Sequence, residues 1–189
     1  MPWLLGFETI PVWSIRQKKG RITWTKNVVK KTGDRNMTED LLERNHPLAL
    51  QRIHDDPIRP ELDALFRTSD DREVYSLIKD DQVLATVCVA YCKEIPTTVH
   101  DLRDYNCSPD DKDSIAVFYT IWANKAGYGK RMLFSTVDYI QSNYFEVTKF
   151  MTMSPKTDMA HKFHTRLGAE ILSINQQSIN YDYSAVVYS

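Results

Sequence analysis

From Ser114 to Trp122 nine residues, Ser-Ile-Ala-Val-Phe-Tyr-Thr-Ile-Trp, pass without a charge. A β-branched and aromatic run of that length reads as a central strand. It leads into Ala126-Gly127-Tyr128-Gly129-Lys130-Arg131 and then to Met132, Leu133, Val137 and Ile140, at spacings of one, four and three. Those spacings give a helix over 129–144 one apolar face. A strand that turns through two glycines into an amphipathic helix needs further strands beside it and further helices over it.

The flanking sequence supplies both. Val74-Tyr75-Ser76-Leu77-Ile78, the polar Asp80-Asp81 and the run from Val83 to Tyr91 predict a β-hairpin whose second strand is buried on both faces. After Pro96, Thr97 or Thr98 caps a short helix through Leu102. Val147 to Thr152 reads as a strand, and Ser154-Pro155 as the opening of a helix that Gly168 ends. Glu170–Ile174 and Ile179–Val187 read as closing strands. The order β-β-α-β-α-β-α-β-β predicts an α+β fold, a splayed mixed sheet of about six or seven strands with helices on both faces. Upstream, Thr38 caps a helix through Leu41, Leu42 and Leu48 toward Ile53, bent or restarted at Pro47. Pro57 and Pro60 break the chain before a helical turn at Leu62, Leu65 and Phe66. Residues 1–35, with Trp3, Trp13, Trp24, Lys18-Lys19, Gly20 and Gly33, read as short strands or a packing arm.

A chain of 189 residues fits a single domain: an N-terminal arm and helices over 1–70, and a core over 72–189. Lys plus Arg number 24 against 25 Asp plus Glu, so no global field draws the chain to nucleic acid or an anionic membrane. An anion site has to be local. Cys88, Cys92 and Cys107 have no metal-type spacing and read as thiols of a reducing compartment. Met1-Pro2-Trp3-Leu4-Leu5-Gly6-Phe7 has no basic leader, Glu8 interrupts it, and no run reaches the roughly 18 apolar residues of a membrane helix. The expectation is a cytoplasmic protein.

Two segments carry chemistry. At the glycine turn, helix N–H groups and small residues suit a phosphate, and Lys130 and Arg131 add charge. The nucleotide-loop and dinucleotide fingerprints are both absent. An ordinary strand-to-helix connection fits the same residues, so the turn alone leaves both readings open. Further on, His161 and His164 share a helix face before Gly168, and Tyr181 and Tyr183 follow at strand spacing. No third ligand stands at a suitable spacing, which argues against a metal. Core packing suffices for Thr120, His164 and the two tyrosines. Arg166 fits the exposed helix surface, with a carboxylate or phosphate contact left open.

Asn124-Lys125-Ala126-Gly127-Tyr128-Gly129 resembles the Gln/Arg-x-x-Gly-x-Gly/Ala signature of the GNAT acyltransferase superfamily, with Asn124 in the Gln/Arg place, and the resemblance covers roughly residues 72–189. It narrows toward malonyl-CoA decarboxylases. Val117-Phe118-Tyr119-Thr120-Ile121 looks like their Phe-Tyr-Ser-Ile strand, seven residues before the first motif glycine. Met153-Ser154-Pro155 looks like Leu-Ser-Pro. Phe163-His164 with Leu167-Gly168-Ala169 resembles their Tyr/Phe-His-Leu-x-Asn-Gly-Ala, and Asn180-Tyr181-Asp182-Tyr183 their Asn-Tyr-x-Tyr.

The resemblance implies a three-layer GNAT-like fold with a mixed, mostly antiparallel sheet. It implies no resident cofactor but a coenzyme A thioester as substrate, met by Ile121, Trp122, Asn124, Ala126, Gly127, Tyr128, Gly129, Lys130 and Ser154. Thr120 stands where the family has its catalytic serine, His164 at its catalytic histidine, and Tyr183 where it lines the pocket. The implied reaction takes malonyl-CoA, or a related malonyl thioester, to acetyl-CoA and carbon dioxide, with Thr120 holding the carboxylate and His164 donating the proton. One alternative is an acetyltransferase acting on an amine, with Glu94, Asp113 or Glu146 as base and Tyr181 or Tyr183 as acid. Another is a non-catalytic acyl-CoA-binding module. The expected partner is a small acyl-CoA, without nucleic acid, membrane or metal, and a homo-oligomer is compatible with this.

Overall fold

The computed structural model describes residues 12–18, 21–27 and 40–188. The chain divides into two compact units, 1–37 and 38–189. In the first, β1 (Val12–Lys18) and β2 (Arg21–Asn27) pair antiparallel, with Val12 opposite Asn27 and Lys18 opposite Arg21. Trp3, Lys19, Gly20, Gly33 and Thr38 lie outside the described residues.

The second unit runs β3 (Leu41–Arg44), α1 (Pro47–Gln51), a 3-10 turn (Ile53–Asp55), α2 (Ala64–Thr68), β4 (Glu73–Lys79), β5 (Gln82–Cys92), α3 (Asp101–Asp104), β6 (Ser114–Ala123), α4 (Tyr128–Asn143), β7 (Val147–Thr152), β8 (Ser154–Pro155), α5 (Asp158–Arg166), β9 (Glu170–Ile174), β10 (Ser178–Asp182) and α6 (Ser184–Val187). The eight strands lie in the order β3-β4-β5-β6-β7-β10-β8, with β9 on β10. The β6–β7 pair is parallel and the others are antiparallel. This is the mixed, mostly antiparallel α+β sheet expected. On one face the core gathers α4 with Phe118, Phe150, Tyr181 and Tyr183. On the other it gathers Ile53, Phe66, Leu102, Val117 and Tyr119.

Three local expectations are corrected. Leu41–Arg44 is an edge strand on β4, Leu41 opposite Ile78 and Arg44 opposite Tyr75. Asn45 then turns the chain with a positive φ, and Pro47 starts α1 as its first helical residue. Sheet pairing overrides a helical spacing only a few residues long. Ser154-Pro155 does not open a helix but pairs with β10, and the Thr157 hydroxyl caps α5 by accepting from the Ala160 N–H at 3.2 Å. The last strand stops at Asp182, whose carboxylate takes the Ser184 N–H at 2.8 Å and starts a helical turn. Tyr181 is therefore in a strand and Tyr183 at a corner.

Two departures from regular pairing shape the middle of the sheet. Cys88 faces Thr120 while Val89 faces Phe118, so Tyr119 is an extra residue, a β-bulge. Before it, Ile115, Val117 and Tyr119 face the α2 layer, and after it Trp122 does so too. The bulge has therefore reversed the alternation. The ladder between β6 and β7 ends at Phe118 opposite Thr152. Beyond the last hydrogen bond, from the Met153 N–H to the Phe118 carbonyl at 3.1 Å, the two strands part.

At the opposite end of these strands the buried Glu73 carboxylate accepts from the hydroxyls of Tyr75, Tyr91 (2.7 Å) and Tyr144 (2.9 Å), and from Arg44 Nη1 (2.7 Å). Burial and this carboxylate hold the Tyr75 and Tyr91 phenols far above their ordinary pKa. The cluster ties β3, β4, β5 and the residue after α4. Replacing Glu73 by Leu leaves three phenols and a guanidinium without their acceptor. We expect Glu73→Leu to lower the unfolding free energy by about 3 kcal/mol in chemical denaturation. A loss below about 0.5 kcal/mol, typical of exposed pairs, would contradict this account.

Candidate functional site

The first turn of α4 is open. Gly127 sits at its N-cap with φ 85°, a left-handed conformation that disfavours other residues, and no side chain caps it. The helix therefore presents free N–H groups and the positive end of its dipole. Gly129 allows a close approach, since a Cβ there would lie 3.2 Å from the Phe163 ring of α5. Between this turn and α5 lies a cavity of about 640 Å³, lined by Gly127, Gly129, Lys130, Asp158, Met159, Lys162, Phe163, Arg166 and Leu167. Three cations against one carboxylate make it an anion-binding cleft.

The expected coenzyme A residues divide accordingly. Gly127, Gly129 and Lys130 line the cleft. Ala126 and Tyr128 belong to the turn, and Tyr128 lies beneath Lys125 and Arg131. Asn124 moors the turn by donating from Nδ2 to the Val83 carbonyl at 2.9 Å. Ile121 packs into the α4 layer, and Trp122 is buried on the other face with the Arg67 guanidinium 5.9 Å from its ring. Arg131 pairs with Asp40, leaving Lys130 as the turn's cation toward the cleft. Lys162 carries no sequence expectation, and Arg166 is exposed as expected and also lines the cleft, where a phosphate contact was left open. Their spacing of four residues on the face shared with Met159 and Phe163 is the signal that places them together.

His164, near the end of α5, is 2% exposed. Nε2 lies 2.7 Å from the Ser154 hydroxyl and Nδ1 2.8 Å from the Tyr183 hydroxyl. Tyr181 stacks on the imidazole with centroids 4.5 Å apart. Ser154 donates its one proton to the Thr152 hydroxyl at 3.1 Å. Proton accounting then has Nε2–H donating to Ser154 and Tyr183 donating to Nδ1. Such an imidazole is neutral, and burial pushes its pKa down to about 4. Residues from three separate segments, Ser154, His164 and Tyr183, thus form one row.

Thr120 lies elsewhere. The bulge turns it toward the α2 layer, where its hydroxyl donates to Asp56 Oδ2 at 2.8 Å. Asp56 also pairs with Arg67 Nη1 at 2.9 Å and accepts the Ile58 N–H at 2.8 Å. Arg67 donates further to the carbonyls of Leu62 (2.8 Å) and Arg59 (2.5 Å) and to Cys88 Sγ (3.2 Å). Arg59 reaches across the parted strands, donating to the Tyr119 carbonyl and to the Met153 carbonyl at 3.0 Å. Thr120 and Ser154 stand level on the two strands, two residues past the paired Phe118 and Thr152. The structure does not bring Thr120 into hydrogen-bond contact with His164. Asp56, Arg59 and Arg67 carried no sequence expectation, because a proline-broken segment shows no periodicity. Among the described residues no cluster of three His, Cys, Asp or Glu could hold a metal, and no helix is long and apolar enough to cross a membrane.

No protein-family model matches the chain, and no curated protein matches it in sequence. Among solved structures it is similar to malonyl-CoA decarboxylase from Rhodopseudomonas palustris, at 23% identity and TM-score 0.50, over 68% of this chain and 34% of that one. It is also similar to NAA60 of Arabidopsis thaliana in complex with acetyl-CoA, at 14% identity and TM-score 0.50, over 76% and 96% of the two chains. A third is the AtaT toxin bound to the C-terminus of the antitoxin AtaR, at 15% identity and TM-score 0.51, over 79% and 95%. At these identities the likeness is one of fold. The match spans about a third of the decarboxylase's length.

The His164 environment has a consequence for stability. Its folded pKa lies below the ordinary 6.5, so the folded state binds the proton less readily than the unfolded one. The contribution is complete above about pH 6.5 and is lost as pH falls through that value toward 4, by about 3 kcal/mol in all. Denaturation series at pH 7 and pH 4.5 should show this loss in the parent and much less of it in His164→Gln. Equal losses in both proteins would contradict the buried neutral imidazole.

Proposed function

From a GNAT-like fold resembling malonyl-CoA decarboxylase, we propose that the protein is an acyl-CoA enzyme that decarboxylates malonyl-CoA, or a related malonyl thioester, to acetyl-CoA and carbon dioxide. The observation that carries this reading is the buried row of Ser154, His164 and Tyr183 beside the parted strands. It is a proton-donating array without a carboxylate. The pyrophosphate lies against the first N–H groups of α4, with Lys130, Lys162 and Arg166 neutralising it. The pantetheine arm runs inward to the gap between β6 and β7. In the reaction the bond between the carboxylate carbon and the α-carbon breaks, its electron pair passes into the thioester as an enolate, and carbon dioxide leaves. The α-carbon then takes a proton passed through the row of Ser154, His164 and Tyr183, and water restores that proton to the row.

An amine-directed acetyltransferase is the second reading, favoured by the likeness to NAA60, whose structure holds acetyl-CoA. Such a reaction needs a base for the ammonium. Asp113 and Glu146 precede β6 and β7, and Glu94 follows β5, whose Cys92 faces Ile115. All three sit at the end of the strands away from the glycine turn, and all are exposed. The geometry therefore favours the decarboxylase.

Incubation with malonyl-CoA, without any amine, should yield acetyl-CoA by mass analysis. His164→Ala should lose roughly 10²–10⁴-fold in turnover with coenzyme A affinity little changed. Arg166→Ala should instead weaken coenzyme A by about tenfold or more in calorimetry, the usual worth of a charge-assisted phosphate contact. Malonyl-CoA left intact by the parent would refute the decarboxylase reading. A parent that binds no coenzyme A at all would refute both readings.

A further inference from the structure

Three arginines are buried among the described residues: Arg59, Arg67 and Arg72. Arg67 has Asp56 as an ion-pair partner, and Arg72 has Asp70. Arg59, 9% exposed, has no carboxylate within 4 Å among the described residues. Its nearest buried acid, Asp56, is already taken by Arg67, Thr120 and the Ile58 N–H. Arg59 makes two hydrogen bonds, to the Tyr119 and Met153 carbonyls. A guanidinium has five N–H donors, so three remain without a partner among the described residues. Desolvation outweighs the more distant attraction of Asp56 and Glu61 and pulls the Arg59 pKa below its ordinary value, so the cation is incompletely compensated. An anion delivered to the same place would complete it.

The place itself identifies the anion. Tyr119 and Met153 are the first residues on either side of the point where β6 and β7 separate. The cationic cleft between α4 and α5 lies on the face that holds His164, while Asp56 and Arg67 lie on the other face. A thioester threaded from the cleft into the gap would bring the far end of its acyl group to Arg59. An acetyl group carries nothing there for a guanidinium to bind. A carboxylate matches its fork with two hydrogen bonds.

We infer that Arg59 is a specificity-determining residue that binds the terminal carboxylate of the acyl group, so that the protein selects acyl-CoA thioesters ending in a carboxylate over acetyl-CoA. The inference rests on the acyl-CoA reading above. Arg59 acts on the carboxylate before it leaves, and carbon dioxide carries no charge for it to hold. Its contribution therefore appears in substrate affinity and KM, and removing it should not lower kcat.

The test is calorimetry on the His164→Ala protein, in which malonyl-CoA survives, with three probes: malonyl-CoA, its terminal carboxamide analogue and acetyl-CoA. Malonyl-CoA should bind roughly 10–100-fold more tightly than either neutral probe. Adding Arg59→Met should erase that gap while acetyl-CoA affinity stays within about twofold, and Arg59→Lys should restore part of it. With His164 intact, Arg59→Met should raise KM for malonyl-CoA by a similar factor. Equal affinity for all three probes in the arginine-containing protein would overturn the role of Arg59 and leave the acyl-CoA reading standing, and this comparison holds even if the Arg59 variants fail to fold. No binding of any probe would overturn both.

Discussion

The separation of β6 from β7 after Phe118 and Thr152 is the constraint on which the site depends. Parallel strands that stay paired leave no room between them, and main-chain groups that part must find other partners or water. The bulge at Tyr119 bends β6 and turns the following residues over. Arg59 then bridges the carbonyls on the two sides. The glycine turn and α4 follow from the free end of β6, and β8 and α5 from the free end of β7. The cleft between the helices therefore lies beyond the ends of these strands.

Polar burial is distributed around that gap with a division of labour. On one face Ser154, His164 and Tyr183 are neutral and mutually satisfied, and the buried imidazole stays uncharged. On the other face the groups are ionic, with Asp56 binding Arg67 and Thr120 while Arg59 spans the strands. Thr120 donates its only proton to Asp56, and its oxygen can only accept from any further partner. A carboxylate arriving in the gap would meet donors from Arg59 sooner than from Thr120. The Glu73 cluster binds the opposite end of the strands, where packing is continuous.

Much of the fold was legible because periodic burial leaves periodic sequence. Val147–Thr152 and Glu170–Ile174 are strands with the expected bounds, and Met132, Leu133, Val137 and Ile140 are the buried face of α4. Other features required partners that sequence does not display. Ser114 to Trp122 reads as one unbroken strand, so the bulge at Tyr119 is invisible until Val89 and Cys88 are placed opposite. Leu41-Leu42 is a strand only because β4 offers an edge. At the start of α5, Ser154-Pro155 carries the capping signal, but both residues pair with β10, and Thr157 caps the helix. Within the site, the glycine turn was legible as an anion motif, whereas the family resemblance set His164 with Thr120 and Tyr183, and only the structure puts Ser154 beside His164. Asp56, Arg59 and Arg67 owe their burial to tertiary packing alone.

A structure of the protein with bound coenzyme A thioester tests the central claim most directly. The account predicts the pyrophosphate at the N–H groups around Gly127 and Gly129, facing Lys162 and Arg166, and the thioester in the gap between Tyr119 and Met153. A thioester bound outside that gap, with the strands closed past Phe118, would contradict it.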